Sequence, residues 1–155
     1  MSQKPYAFSV SATINAPAKK VFDVLNNFDE MNSWSPFVAM DKTMVATVSK
    51  PAVGPGSRYD WSGKRIGNGS MINREVVKPT KLIFDMEFRN KKTETALSEF
   101  LLDETDGVTV VTWALSGERG FGGQFMAAVL GLDNMMKKNF ADGLSTLKRN
   151  IESAS

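Results

Sequence analysis

The chain has 155 residues, 42% of them hydrophobic, which is enough to bury one sizeable core, so a single domain spanning 1–155 is expected. Lysine and arginine exceed aspartate and glutamate by only 19 to 17 and the charges are scattered, so no nucleic-acid partner and no anionic membrane surface is expected. Cysteine and histidine are both absent, which removes disulfides, thiol nucleophiles, Ser/His/Asp triads and zinc sites built on either residue; carboxylates, Lys, Tyr or water must do any chemistry, and no metal or cofactor is expected.

The opening MSQKPYAFSV lacks an apolar h-region and no apolar run approaches membrane-spanning length, so the expected setting is cytoplasmic, without integral membrane association. Residues 6–14, YAFSVSATI, alternate as a strand does, and Pro17 suits the first position of a following helix. Val21, Phe22, Val24, Leu25 and Phe28 give that helix a buried side, and Asn26, Asn27 and Asp29 break it or turn it into a second short helix. At Trp34-Ser35-Pro36-Phe37 the proline disfavours helix at Ser35, so a turn rimmed by two aromatics is expected.

From about 43 to 117 six short strands follow one another, separated at Pro51–Gly56, Gly63–Gly69, Lys78–Thr80, Arg89–Lys92 and Glu104–Gly107, which spells an antiparallel meander. Tyr59 with Trp61, Leu82 with Phe84, Met86 and Phe88, and Val111 with Trp113 and Leu115 share apolar faces, while Arg58, Asp60, Asp85, Glu87 and Thr112 take the opposite ones. The basic cluster Arg89-Asn90-Lys91-Lys92 lacks interleaved aromatics and reads as a solvated hairpin turn. From Gly122 to Glu152 the period becomes helical, with Phe125, Val129, Leu132, Met136, Phe140, Leu147 and Ile151 on one side and Asn134, Lys138, Asp142, Ser145, Arg149 and Glu152 on the other. The order is strand, two short helices, six strands and a long helix: a two-layer α+β design.

Between such a sheet and such a helix the space can be filled or hollow. Gly143 falls within the apolar arc of the helix, where either the sheet approaches closely or space is left. The run GSMINREVV, 69–77, has no wholly apolar face: one parity brings Asn73 and Glu75 inward, the other Arg74, and a twisted edge with both faces wet is the third alternative. Trp34, Phe37, Tyr59, Trp61, Met71, Phe84, Met86, Phe100, Trp113, Met135, Met136 and Phe140 can converge on one interior, either as packed core or as an adaptable ligand wall.

The ordered set Ile14-Asn15-Ala16-Pro17-Ala18, Val21-Phe22, Trp34-Ser35-Pro36, Trp61-Ser62-Gly63, Gly67 to Met71, Gly107 to Trp113, Leu132-Asp133-Asn134-Met135 and Asn139 to Lys148 resembles the START-like or SRPBCC superfamily, in its bacterial polyketide cyclase/dehydratase-like branch. The resemblance implies the helix-grip fold: a curved seven-stranded antiparallel sheet wrapped around a long C-terminal helix, with two short helices after the first strand. It further implies binding of a small hydrophobic or amphipathic ligand of lipid, polyketide or aromatic type. On that reading Trp34 and Phe37 flank the mouth, Tyr59, Trp61, Met71, Phe84, Met86, Phe100, Trp113, Met136 and Phe140 line the walls, and Asn73 with Glu75 orients a polar group. The alternatives are a cyclase-, dehydratase- or hydrolase-like enzyme using Glu75 or Tyr59 in the same cavity, and an interaction module marked by an exposed apolar patch. The residues leave the oligomeric state open.

Overall fold

The computed structural model describes the backbone of residues 5–89, 93–118 and 123–154, and within these the side chains other than those at 5–8, 39, 94, 117, 118 and 123–136. Strand β1 (Pro5–Ile14) leads into α1 (Ala18–Leu25), a 3-10 turn (Phe28–Glu30), α2 (Met31–Trp34) and α3 (Pro36–Met40). Strands β2 (Val45–Val48), β3 (Arg58–Gly63), β4 (Gly67–Val77), β5 (Lys81–Arg89), β6 (Thr93–Thr105) and β7 (Val108–Glu118) follow, and then α4 (Gly123–Ser153). The seven-stranded sheet runs β1-β7-β6-β5-β4-β3-β2 with every neighbouring pair antiparallel. It curves around α4 in the helix-grip arrangement, so the meander read from residues 43–117 and the long helix are both present.

Strict alternation builds the inner face of the sheet. Leu82, Phe84 and Met86 of β5 are buried, as are Val111, Trp113 and Leu115 of β7, while Thr112, paired outward with Ser11, belongs to the other face. The β6–β7 turn places Asp106 and Gly107 at φ 53° and 79°, the left-handed pair that matches a two-residue hairpin to strand twist. Arg58 and Arg89 lie against Asp60 and Glu87 on the outer face, so the charges there are largely paired. Of the basic cluster read as a turn, Asn90, Lys91 and Lys92 lie outside the described residues.

The segment after β1 differs from the sequence reading in two places. Pro17 is the cap of α1, not its first residue, and it offers no side-chain bond; Glu104 Oε1 of β6 accepts the Ala18 N–H instead, at 2.7 Å. The outward turn expected at Ser35-Pro36 is the start of another helix. Ser35 Oγ accepts the Phe37 N–H at 3.2 Å and Pro36 takes the first helical position, where its missing N–H costs nothing. The short helices expected after β1 are present as α1, the 3-10 turn, α2 and α3 in succession.

Helix α4 buries Phe140, Leu144, Leu147 and Ile151 and exposes Lys138, Asp142, Ser145 and Arg149. It lies along β1 and touches α2 and α3. Gly143 marks a close approach, but to α3 rather than to the sheet: a Cβ there would lie 2.7 Å from Pro36 Cδ. Among the described residues no helix is long and apolar enough to cross a membrane.

Candidate functional site

Inward side chains from four strands and the α2–α3 segment converge on one space. Tyr59 and Trp61 come from β3, Met71 from β4, Met86 from β5 and Trp113 from β7, each at a position that alternation turns inward. Met31, Ser35 and Phe37 face them from the helical side, and Met44 closes the space ahead of β2. Between these side chains is a void of about 20 Å³. That is room for about one water molecule. Gly69 keeps the Trp61 ring in place, because a side chain on Gly69 would collide with it.

The remaining aromatics fill space instead of bounding it. Trp113 stacks on Phe100 with centroids 5.0 Å apart and on Phe140 at 3.8 Å, and Phe84 meets Phe100 edge-on at 6.0 Å. Trp34, expected at the mouth, is 2% exposed and packs edge-on against Phe100 and Trp113. Phe37 is half-buried and meets Phe140 edge-on at 6.0 Å. Of the expected wall, Tyr59, Trp61, Met71, Met86 and Trp113 surround the void together with Phe37; Trp34, Phe84, Phe100 and Phe140 belong to the packed core beside it. The side chains of Met135 and Met136 lie outside the described residues.

The parity problem in β4 is resolved by a bulge. Its register against β5 shifts between Asn73 and Glu75, so two residues face one partner and the alternation restarts. Asn73 points inward and is 2% exposed, Glu75 points out, and Val76 is partly buried against the core. Glu75 is thus corrected from cavity residue to surface residue: its side chain is 52% exposed and pairs with Lys81 Nζ at 3.5 Å. Arg74 faces Asp85 on the outside as well, at 3.6 Å.

Few polar groups reach the chamber. The Tyr59 hydroxyl donates to Asn32 Oδ1 at 2.5 Å, and the Trp113 indole N–H donates to Ser98 Oγ at 2.8 Å. Burial pushes the Tyr59 phenol up to about 12, so it stays protonated at neutral pH and serves as a donor rather than a base. Outside the lining itself, Asn73 donates from Nδ2 to Asn26 Oδ1 at 3.0 Å, yet among the described residues its Oδ1 has no partner, and neither has the buried Trp34 Nε1. Tyr59 is the only ionisable residue among the described lining. No cluster of three or more His, Cys, Asp or Glu side chains that could hold a metal forms among the described residues.

Met31, Ser35 and Met44 belong to the wall but were not among the expected residues. Their signal was present in the sequence, because Met31 follows the Phe28 turn at helical spacing and Met44 directly precedes the first strand of the meander.

A second polar anchor lies at the far end of the β3–β4 hairpin. The buried Asp41 carboxylate accepts from the Thr43 N–H and hydroxyl at 2.9 and 2.6 Å and from the N–H groups of Arg65 and Ile66 at 2.7 and 3.1 Å. The Thr43 hydroxyl foremost, with those backbone donors, holds the carboxyl well below the usual carboxylate range. The bonds tie the hairpin that carries Trp61 to the C-terminal end of α3, the helix whose first turn carries Phe37.

A family model described as polyketide cyclase/dehydrase and lipid transport matches residues 6–152. Among solved structures, a norcoclaurine synthase variant from Thalictrum flavum in complex with a transition-state analogue is similar over 100% of this chain and 99% of its own, with 10% identity and a TM-score of 0.74. A protein from Mesorhizobium loti is similar over 97% of this chain and 99% of its own, with 14% identity and a TM-score of 0.69. The Aha1 dimer from Colwellia psychrerythraea is similar over 95% of this chain and 96% of its own, with 16% identity and a TM-score of 0.67. At these identities the likeness is one of fold. Among curated proteins none matches the sequence.

Proposed function

The chain belongs to the polyketide cyclase/dehydrase and lipid transport family, and from that premise we propose that it binds a small hydrophobic or amphipathic molecule of lipid, polyketide or aromatic type in the chamber between the sheet and the α2–α3 segment. The observation that carries this reading is the wall of Met31, Met44, Met71 and Met86 around a space next to Tyr59 and Trp61. Methionine side chains are unbranched and polarisable, so they can change rotamer around ligands of different shape. On this reading the void of about 20 Å³ must grow on binding as they move aside. The lining favours an uncharged ligand portion, since burying a charge there without a partner is costly. The Tyr59 hydroxyl is the lining group that orients its polar end.

Native mass spectrometry of freshly purified protein, followed by titration with a lipid and aromatic library, tests the reading. A retained small molecule or saturable one-to-one binding supports it; no bound mass and no saturable binding across the library rejects it.

A second reading, an enzyme acting through Tyr59, rests on the phenol at the chamber wall. A phenol protonated up to about pH 12 can donate a proton or a hydrogen bond to a bound carbonyl, so the chemistry would be acid-assisted. Tyr59→Phe should then abolish turnover of a bound ligand while leaving its affinity within a few-fold.

A further inference from the structure

Along the chain the cations are scattered and no anionic surface is expected, yet folding gathers three of them. The α3–β2 turn closes through the Met44 N–H, which donates to the Asp41 carbonyl at 3.1 Å, and it carries Lys42. The β3–β4 turn carries Lys64 and Arg65. Asp41 Oδ2 accepts the Arg65 and Ile66 N–H groups, and Thr43 Oγ1 accepts the Lys64 N–H at 2.9 Å, so the two turns are clamped side by side. Gly63 leaves room for the clamp, because a side chain there would run into the Asp41 carboxylate.

Lys42, Lys64 and Arg65 are exposed and form no side-chain hydrogen bond or ion pair among the described residues. Elsewhere on the sheet Arg58, Arg74, Lys81 and Arg89 each face a carboxylate, and Asp60 and Glu87, further along β3 and β5, are taken by Arg58 and Arg89. Asp41 is 1% exposed and spends its oxygens on backbone N–H groups and the Thr43 hydroxyl, so it fixes the turns without pairing a cation side chain. Like charges held together in this way repel one another, which points to an anionic partner from outside the chain. Met40 and Ile66, half-buried in the same two segments, add aliphatic surface beside the cations. That combination suits the headgroup boundary of a bilayer better than the wholly polar backbone of a nucleic acid.

We propose that this pair of turns is a docking surface for an anionic phospholipid bilayer. The Lys42, Lys64 and Arg65 side chains meet lipid phosphates, and Met40 and Ile66 enter the interface beside them. The surface lies at the edge of the chamber, since Met44 follows Thr43 directly and Trp61 belongs to the strand that ends at Gly63, but it stands without the chamber reading.

The test is co-sedimentation of the full chain with vesicles of phosphatidylglycerol and phosphatidylcholine in equal parts, against vesicles of phosphatidylcholine alone. The chain should partition onto the anionic vesicles and not onto the neutral ones, and more weakly as salt shortens the range of the attraction. Each cation near an anionic surface contributes about fivefold in partitioning, so Lys64→Gln with Arg65→Gln should lower it by about tenfold or more. Both side chains are exposed and the clamp uses only the backbone N–H of each, so the fold is kept. Lys138→Gln with Arg149→Gln, on the exposed side of α4, removes the same net charge elsewhere and should leave partitioning within about twofold. No partitioning onto anionic vesicles, equal partitioning onto neutral ones, an equal loss in the two double variants, or tighter binding to a DNA duplex than to the vesicles each overturns the proposal.

Discussion

The Phe140 ring of α4 lies flat on the Trp113 indole of β7, with centroids 3.8 Å and planes 13° apart. This stack pins the helix to the sheet and marks where filled core ends and the chamber begins, because Trp113 also lines the void. Phe140→Ala removes a fully buried ring from it and should cost about 3–5 kcal/mol. Urea denaturation of the variant against the parent measures this; a loss below about 1 kcal/mol would mean that the helix is held elsewhere.

Gly143 and Pro36 form the second point of close approach. In an exposed helix Gly→Ala gains about 0.5–1 kcal/mol. Here the new methyl would lie 2.7 Å from Pro36 Cδ and 3.1 Å from Cγ, so overpacking, typically about 1–3 kcal/mol, should prevail. Gly143→Ala is expected to lower the melting temperature, and Pro36→Ala in the same chain to restore part of the loss. Additive effects in that double-mutant cycle would show that the two residues are not in contact.

Much of the sheet was legible because alternation is a local signal: Leu82, Phe84 and Met86 need only their own strand to declare a face. Glu75 was not, since a single extra residue at Arg74 resets the parity and sends Glu75 outward while Asn73 stays in. In the sequence, the proline at position 36 signals what it forbids at Ser35 more plainly than what it starts, so the helix α3 looks like a turn. Gly143 showed that something comes near, but the partner, Pro36, lies more than a hundred residues away in sequence and only the folded chain identifies it.

Asp41 should govern part of the acid sensitivity. Its folded carboxyl is held below its unfolded value, so its contribution is present above about pH 4 and is lost as pH falls toward the folded value. Asp41→Asn removes a carboxylate that accepts four hydrogen bonds. The variant should be less stable at pH 7, with the gap to the parent narrowing on acidification. Denaturant midpoints between pH 7 and pH 2.5 check this, and a gap that is constant across the range would remove Asp41 from the explanation.

Tyr59 makes the opposite prediction at the alkaline end. Its folded pKa of about 12 lies above the unfolded value near 10, so the stability tied to its neutral form is complete below pH 10 and declines as pH rises toward 12. The sequence holds two tyrosines, and a spectrophotometric titration should resolve a late-titrating one that disappears in Tyr59→Phe. Two tyrosines titrating together near pH 10 would contradict a buried phenol.

The most direct test of the chamber is an NMR titration of methionine methyl groups with an uncharged aromatic probe such as naphthol. The methyl resonances of Met31, Met44, Met71 and Met86 should shift together and saturate at one probe per chain, as the wall opens around the ligand. Resonances that do not move, or that drift without saturating while exposed positions respond equally, would contradict the chamber as a binding site.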